Sequence, residues 1–369
     1  MSRLVNGVRS FSTAASSLLA DATAASRPVR QPSSFQVFRD VPELRQLRQQ
    51  LLKNDRTMGF VPTMGALHEG HLSLIREAAR ENTDVFVSIF VNPTQFGVNE
   101  DLSSYPRTWD SDLKKLEKLN EELESLGVGT GRISAIFAPT SKVMYPTLAP
   151  SSEIDGDGSF VTITPLSRKL EGGSRPVFFR GVATICMKLF NATTPDRVYF
   201  GQKDVQQTVV IKRMVQDFHI GTEVRVVQTS RESDGLALSS RNVYLGARRR
   251  AIGLTIYRSL KAAEEAYQSG KSSRADILGA ARAVADRVLA EQQALSPSER
   301  ALFEIDYISL ADPNTLEELD LVEPSKGAVL SAAFKMAPLE ETNSGEDCGL
   351  GGGKVPVRLI DNLILTARA

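Results

Sequence analysis

Cysteine is scarce in this chain: only Cys186 and Cys348 occur in 369 residues. Two thiols so far apart form neither a disulfide framework nor a metal knuckle, and a reducing compartment is expected. Net charge is absent as well, with Lys+Arg and Asp+Glu both numbering 44. Proteins that neutralise a phosphate backbone carry a basic surface, so no nucleic-acid partner is expected. No apolar run approaches the roughly 18 to 20 residues that span a bilayer, which excludes membrane insertion by a helix. Histidine occurs three times, too few alongside two scattered cysteines for a zinc site of three or four ligands. No metal ligand is assigned. No plausible Ser-His or Cys-His pair suggests a protein nucleophile.

What is present is a globular composition. At 41% hydrophobic content the chain can bury a sizeable core, and its length predicts two domains. These are placed at residues 36–229 and 230–369. Residues 1–35 differ in kind: Arg3, Arg9, Arg27 and Arg30 face a single acid, Asp21, in a Ser- and Ala-rich background. That composition predicts a mitochondrial targeting segment, the alternative being a disordered tail on a cytoplasmic protein.

Two of the three histidines share one loop. Thr57–Val61 is a short apolar run expected as a buried parallel strand. Pro62, Gly65 and Gly70 then break the chain, and from about His71 the residues Leu72, Ile75, Ala78 and Ala79 recur at helical spacing. Strand, glycine-bearing loop and helix in that order aim a helix N-terminus beyond the sheet edge, a setting that suits phosphate. His68 and His71 stand at its entrance.

Further along, Val85–Val91 reads as a strand covered on both faces and ends in a turn that carries Asn92 and Gln95. Asp196–Phe200 is another strand, running into Gly201, Gln202, Lys203 and Asp204 at the edge where open α/β sheets bind ligands. A lysine there can meet a phosphate as a point charge. The polar stretch 231–245, with two serines and Arg241, reads as a mobile loop rich in hydroxyl and guanidinium donors. Helices are expected at 247–269 and 273–293, and strands at 303–310, 327–336 and 355–360. Residues 340–354, acidic and then glycine-rich, read as a disordered insertion. Gly349–Lys354 imitates a phosphate loop but lacks its first glycine and its Ser/Thr.

The string His68-Glu69-Gly70-His71 after a buried strand resembles the HxGH signature of the nucleotidyl-transferring α/β superfamily. VPTMGALHEGH (61–71), SIFVNPTQF (88–96), FGQKDVQQ (200–207) and DGLALSSRN (234–242) together resemble the pantothenate synthetases, or pantoate–β-alanine ligases. RLIDN (358–362) is similar too. The resemblance implies an α/β fold: a Rossmann-like parallel sheet with helices on both faces, plus a smaller α+β C-terminal domain. It implies a homodimer that uses ATP and Mg²⁺ to join pantoate to β-alanine through a pantoyl adenylate. It places Met64, Gly65, Ala66, Leu67, His68, Glu69, Gly70 and His71 along ATP, with His71 as proton donor. Gly201, Gln202, Lys203 and Asp204 would contact the nucleotide, Lys203 on a phosphate and Asp204 near the ribose. Ser230 would lie near the adenine. Leu238, Ser239, Ser240 and Arg241 would form a flexible phosphate-binding loop. Gln95 and Gln207, with Asn92, would hold the substrates.

Departures from the family pattern are few. Phe178 stands where the pattern SRPGHFRGV has histidine, and extra residues occur near 125–132, 151–158 and 340–354. The competing expectations are a nucleotidyltransferase acting on a phosphorylated small-molecule acceptor and a non-catalytic nucleotide-binding protein.

Overall fold

Six short strands, most of them apolar, form one parallel sheet in the computed structural model, which describes residues 35–367 apart from 98–101, 104 and 128. The arginine-bearing segment expected to direct import lies almost wholly outside the described residues. The strands are β1 (Gln36–Phe38), β2 (Met58–Thr63), β3 (Asp84–Ile89), β4 (Arg132–Phe137), β5 (Arg197–Gly201) and β6 (Glu223–Val227). Their order is β1-β4-β3-β2-β5-β6, and every pairing is parallel. The chain moves outward from β2 through β3 to β4, then returns to place β5 on the other side of β2. The crevice beyond the C-terminal ends of β2 and β5 is therefore a topological switch point, where open α/β sheets bind ligands.

Side-chain alternation builds a core on each face of this sheet. Phe60, Phe86 and Phe137 pack on one side with Leu44 and Leu51 of α1 (Val41–Lys53). Val61, Val85, Val87 and Ile136 pack on the other. There they meet Ile75, Ala78 and Ala79 of α2 (Glu69–Glu81) and Leu116, Leu119 and Leu123 of α3 (Trp109–Ser125). Cover on both faces explains why these strands are continuously apolar. The first face is completed by α4 (Phe178–Thr193) and α5 (Val205–Asp217).

The C-terminal part has its own core. After α6 (Gly246–Gly253), α7 (Thr255–Gln268) and α8 (Arg274–Gln293) come β7 (Phe303–Ala311), β8 (Ala328–Met336) and β9 (Val357–Leu365). These three strands form an antiparallel sheet in the order β7-β8-β9. Leu260 and Ala263 of α7 and Ile277 and Ala281 of α8 pack against Leu330, Phe334 and Leu359 of the sheet. Among the described residues no helix is long and apolar enough to cross a membrane.

Three features differ from the sequence expectation. The helix expected at 247–269 is two, meeting at Gly253 and Leu254, and β9 runs on to Leu365. The stretch 340–354, expected to be disordered, is instead pinned to the α6 region. Ala247 N donates to Asp347 O at 2.9 Å, Leu350 N to Val243 O at 2.8 Å, and Arg248 pairs with Glu346. A segment poor in apolar residues reads as unstructured by itself. Its order comes from polar partners a hundred positions earlier in the chain.

One ion pair ties α1 to the starts of two central strands. The Arg48 guanidinium, 4% exposed, donates to both Asp196 oxygens at 3.0 Å and to Thr194 O at 3.0 Å. Asp196 Oδ2 also accepts from Met58 N at 2.6 Å. Arg48→Met is expected to lower the unfolding free energy by about 2 kcal/mol, since the orphaned carboxylate is half open to water and loses only part of a buried pair's worth. Urea unfolding of the two proteins measures it.

Candidate active site

The loop after β2 turns on a single buried acid. Gly65 and Ala66 have positive φ, 84° and 51°. Asp112 of α3, 1% exposed, accepts from Ala66 N at 2.9 Å and Leu67 N at 2.8 Å, and takes a third bond from Thr108 Oγ1 at 3.0 Å. A side chain at Gly65 would put its Cβ 3.2 Å from that carboxylate. Lys115, one turn along α3, donates to Leu67 O. The two groups hold the loop so that the next residue, His68, caps α2.

The rings of His68 and His71 cap the first turn of α2. His68 Nδ1 accepts from Gly70 N at 3.2 Å, and His71 Nδ1 accepts from His68 N at 3.3 Å, a reciprocal cap. With both Nδ1 atoms acting as acceptors, the ring hydrogens sit on the Nε2 atoms, and the two rings lie 4.1 Å apart. Burial, then the Lys203 ammonium, pulls the His68 pKa down to about 4, Asp204 opposing. Burial, the His68 ring and Lys203 bring His71 to about 3. At neutral pH both are uncharged donors, so they add hydrogen bonds to the site and no formal charge. The positive end of α2 supplies the local potential.

Three more strand ends complete the cleft. After β5, Lys203 Nζ lies 3.6 Å from Asp204 Oδ1 in a single turn leading into α5, where Gln207 faces inward. After β3, Asn92 is wholly buried and its amide is fully engaged. It donates to Gln95 Oε1 and Gly181 O, both at 3.1 Å, and accepts from Tyr145 OH at 2.6 Å and Thr94 Oγ1 at 3.1 Å. Asn92 thus acts as a brace for Gln95, whose Nε2 reaches Met64 Sδ at 3.2 Å. α4 comes so close that a Cβ on Gly181 would sit 2.5 Å from the Gln95 backbone. After β6, Ser230 Oγ lies 3.0 Å from Ser73 Oγ of α2, and Ser239 Oγ accepts from Arg241 N at 3.2 Å.

One cleft takes in most of the expected site. Met64, His68, Gly70, His71, Asn92 and Gln95 line it from the β2 and β3 ends. Gly201, Lys203, Asp204 and Gln207 line it from β5, and Ser230, Leu238, Ser239, Ser240 and Arg241 from the segment after β6. Five expected residues stand outside its wall. Leu67 is core, Gly65 and Ala66 form the clamped turn, Glu69 pairs outward with Arg76, and Gln202 bonds Asn362. The far end is apolar, walled by Phe90, Val182, Ile185, Leu189 and Phe178, with the Arg175 guanidinium 3.8 Å above the Phe178 ring. Sequence reading missed Asp112, Lys115 and Asn362. The first two lay hidden in a Lys- and Glu-rich helix that resembles any solvated surface.

A model of the pantoate-β-alanine ligase family matches residues 36–364. The chain belongs to that family. It is 41% identical over 341 residues to the pantoate–β-alanine ligase of Saccharomyces cerevisiae, covering 90% of this chain and all of the yeast protein. A solved pantothenate synthetase structure from Thermus thermophilus superposes with a TM-score of 0.68 at 35% identity, covering 90% of this chain and all of that one. A pantoate-β-alanine ligase from Francisella tularensis, solved with β,γ-ATP and β-alanine, gives 0.62 at 30% identity over 89% of this chain and 97% of its own. The enzyme is thus a pantoate–β-alanine ligase, which makes pantothenate, and its two sheets correspond to the fold expected from sequence.

The neutral imidazoles carry a stability signature. Their folded pKa values lie below the unfolded value near 6.5, so unfolding takes up protons between that pH and about 4 at His68 and about 3 at His71. The contribution is complete above pH 6.5 and is lost as pH falls, by about 1.4 kcal/mol per pH unit for each ring. Urea unfolding at pH 7, 6 and 5 should show a shallower decline in a His68→Gln, His71→Gln double variant, which keeps side-chain acceptors for the cap. Parallel curves would contradict the assignment.

Proposed function

We propose that the cleft activates pantoate as an acyl adenylate before β-alanine enters. A carboxylate resists attack by an amine because its oxygen leaves poorly, and adenylation supplies a better leaving group. A pantoate carboxylate oxygen attacks the α-phosphorus of ATP while the bond to the bridging oxygen breaks and pyrophosphate departs. The amine of β-alanine then attacks the acyl carbon and AMP leaves, giving pantothenate. No protein nucleophile takes part.

The observation that carries this reading is convergence. Groups from the ends of β2, β5 and β6 share one cleft at the switch point, and its imidazole, ammonium, guanidinium and hydroxyl donors suit phosphate. Lys203 and Arg241 bring charge; Ser239, Ser240 and the two Nε2–H groups bring hydrogen bonds to oxygens that become more negative as pyrophosphate leaves. His71, the expected proton donor, would meet the departing oxygens through its Nε2–H. Gln95 and Gln207 are neutral and orient the pantoate hydroxyls and carboxylate at the boundary of the apolar end. The relative solved with β,γ-ATP and β-alanine supports a site that takes both kinds of molecule.

Mg²⁺ fits this chemistry. Among the described residues no cluster of three or more His, Cys, Asp or Glu could hold a metal alone, and Asp204 is the one carboxylate in the cleft wall. Mg²⁺ needs no protein cage, since it keeps waters and rides on substrate phosphates with one or two carboxylates. Held by the phosphates with Asp204, it would offset their charge.

The same reading extends to the whole chain. The large and small units would meet as domains near residues 229 and 230, and the enzyme would form a homodimer, which sedimentation at micromolar concentration tests. Residues 1–35 precede the family match and carry the arginines, which supports import into mitochondria over a cytoplasmic site. A fluorescent fusion with and without them decides between the two.

His71→Ala and Lys203→Ala should each slow pyrophosphate release by about a hundredfold or more, roughly 3 kcal/mol for a well-aimed donor, while far-UV circular dichroism stays unchanged. Release must depend on pantoate, and AMP must appear as final product only when β-alanine is added. Wild-type rates in either variant would remove that residue from the reaction.

A further inference from the structure

The turn that carries Lys203 is held from the small sheet. Asn362 of β9 is completely buried, and its side-chain amide donates to Gln202 O and Lys203 O, both at 2.8 Å. Its own Oδ1 accepts from Gln202 Nε2 at 3.2 Å. A primary amide has two hydrogens, and here each meets one carbonyl of the same turn. An aspartate would turn lone pairs toward those carbonyls, and a serine could serve only one of them.

The residue before it reaches the other phosphate-facing segment. Asp361, also buried, takes a bidentate pair from Arg231 at 2.6 and 2.8 Å, and Arg231 donates further to Asn362 O at 3.3 Å. The Arg231 guanidinium lies 4.5 Å from the Tyr257 ring of α7 and donates to Gly235 O at 3.0 Å. Arg231 bridges to Ala237, and Leu238 N donates to Ser230 O at 3.0 Å, so this anchor sets the start of the segment ending in Ser239 and Arg241. Two consecutive residues of one strand therefore grip both phosphate-facing strips, and neither lines the cleft itself.

We propose that Asn362 is a positioning residue for adenylation: through the carbonyls of the 202–203 turn it fixes Lys203 relative to the strip that Asp361 and Arg231 anchor. It touches no substrate. Its effect belongs to the step in which both strips act on one leaving pyrophosphate, and not to the later attack by the amine. The proposal rests on the assignment of Lys203 to the phosphates.

The test separates the half-reactions in the full-length enzyme. Pyrophosphate release is followed with saturating ATP and pantoate, and transfer is followed by giving the enzyme prepared pantoyl adenylate and β-alanine. Asn362→Ala should slow release by about tenfold to a hundredfold, as expected for a small displacement of a reacting group. Transfer should stay within about twofold of wild type. Leu363→Ala, which weakens the small core at the neighbouring position of the same strand, should leave both half-reactions within about twofold. If Asn362→Ala does not fold, Asn362→Ser, with one donor left, is read in its place. Unchanged release, equal loss in both half-reactions, or the same split in Leu363→Ala would each overturn the proposal. Lys203→Ala tells the two failures apart. If that variant releases pyrophosphate normally, the role of Lys203 is wrong; if it is slow while Asn362→Ala is normal, only the positioning role falls.

Discussion

The site depends on how a buried carboxylate bends the chain after β2. Asp112 takes the N–H groups of Ala66 and Leu67, which lie where the backbone leaves the strand in a left-handed conformation. Donors buried without a partner are costly, so the loop keeps this shape only while the acid stands opposite it. The shape in turn decides where α2 begins and which way His68 and His71 face. A helix N-terminus pointed at the switch point follows from the bend, and the imidazole tautomers follow from the cap.

Electrostatically, the cleft gathers potential without gathering much charge. Lys203, Arg241 and Arg175 are the basic side chains in its wall, and Asp204 stands against Lys203. The remaining attraction comes from oriented dipoles: the first turn of α2, two Nε2–H bonds and serine hydroxyls. Fixed dipoles need no reorganisation as charge moves from the α-phosphate to the departing pyrophosphate, an advantage over water. Burial keeps the imidazoles neutral, which also prevents four crowded cations from repelling one another in the absence of nucleotide.

Much of this was legible in the sequence, for physical reasons that also mark its limits. Parallel strands covered on both faces must be apolar throughout, so Val85–Val91 and its neighbours stood out. Glycines and polar residues after such strands marked the ligand edge, which located His68, Gln95 and Lys203. What escaped was tertiary. The 340–354 segment is ordered by Arg248 and by backbone partners near residue 245, which no local pattern reveals. Asn92 looked like a substrate ligand because it sits at the right edge, yet its amide is taken by protein groups. Asp112 lies in a stretch rich in Lys and Glu and is buried nonetheless, because α3 turns that position toward the loop.

The close approach of α4 at Gly181 has a different kind of consequence. Hydrogen bonds tolerate small shifts, but hard-sphere contact does not, and the backbone of Thr94 and Gln95 lies against that glycine with no room for a methyl group. The Gln95 side of the cavity is thereby calibrated by steric exclusion, a reference that neither ionic strength nor acidity can move. Discrimination by bulk on that side would then behave as a mechanical property of the scaffold, while attraction at the Lys203 side remains open to tuning by solvent conditions.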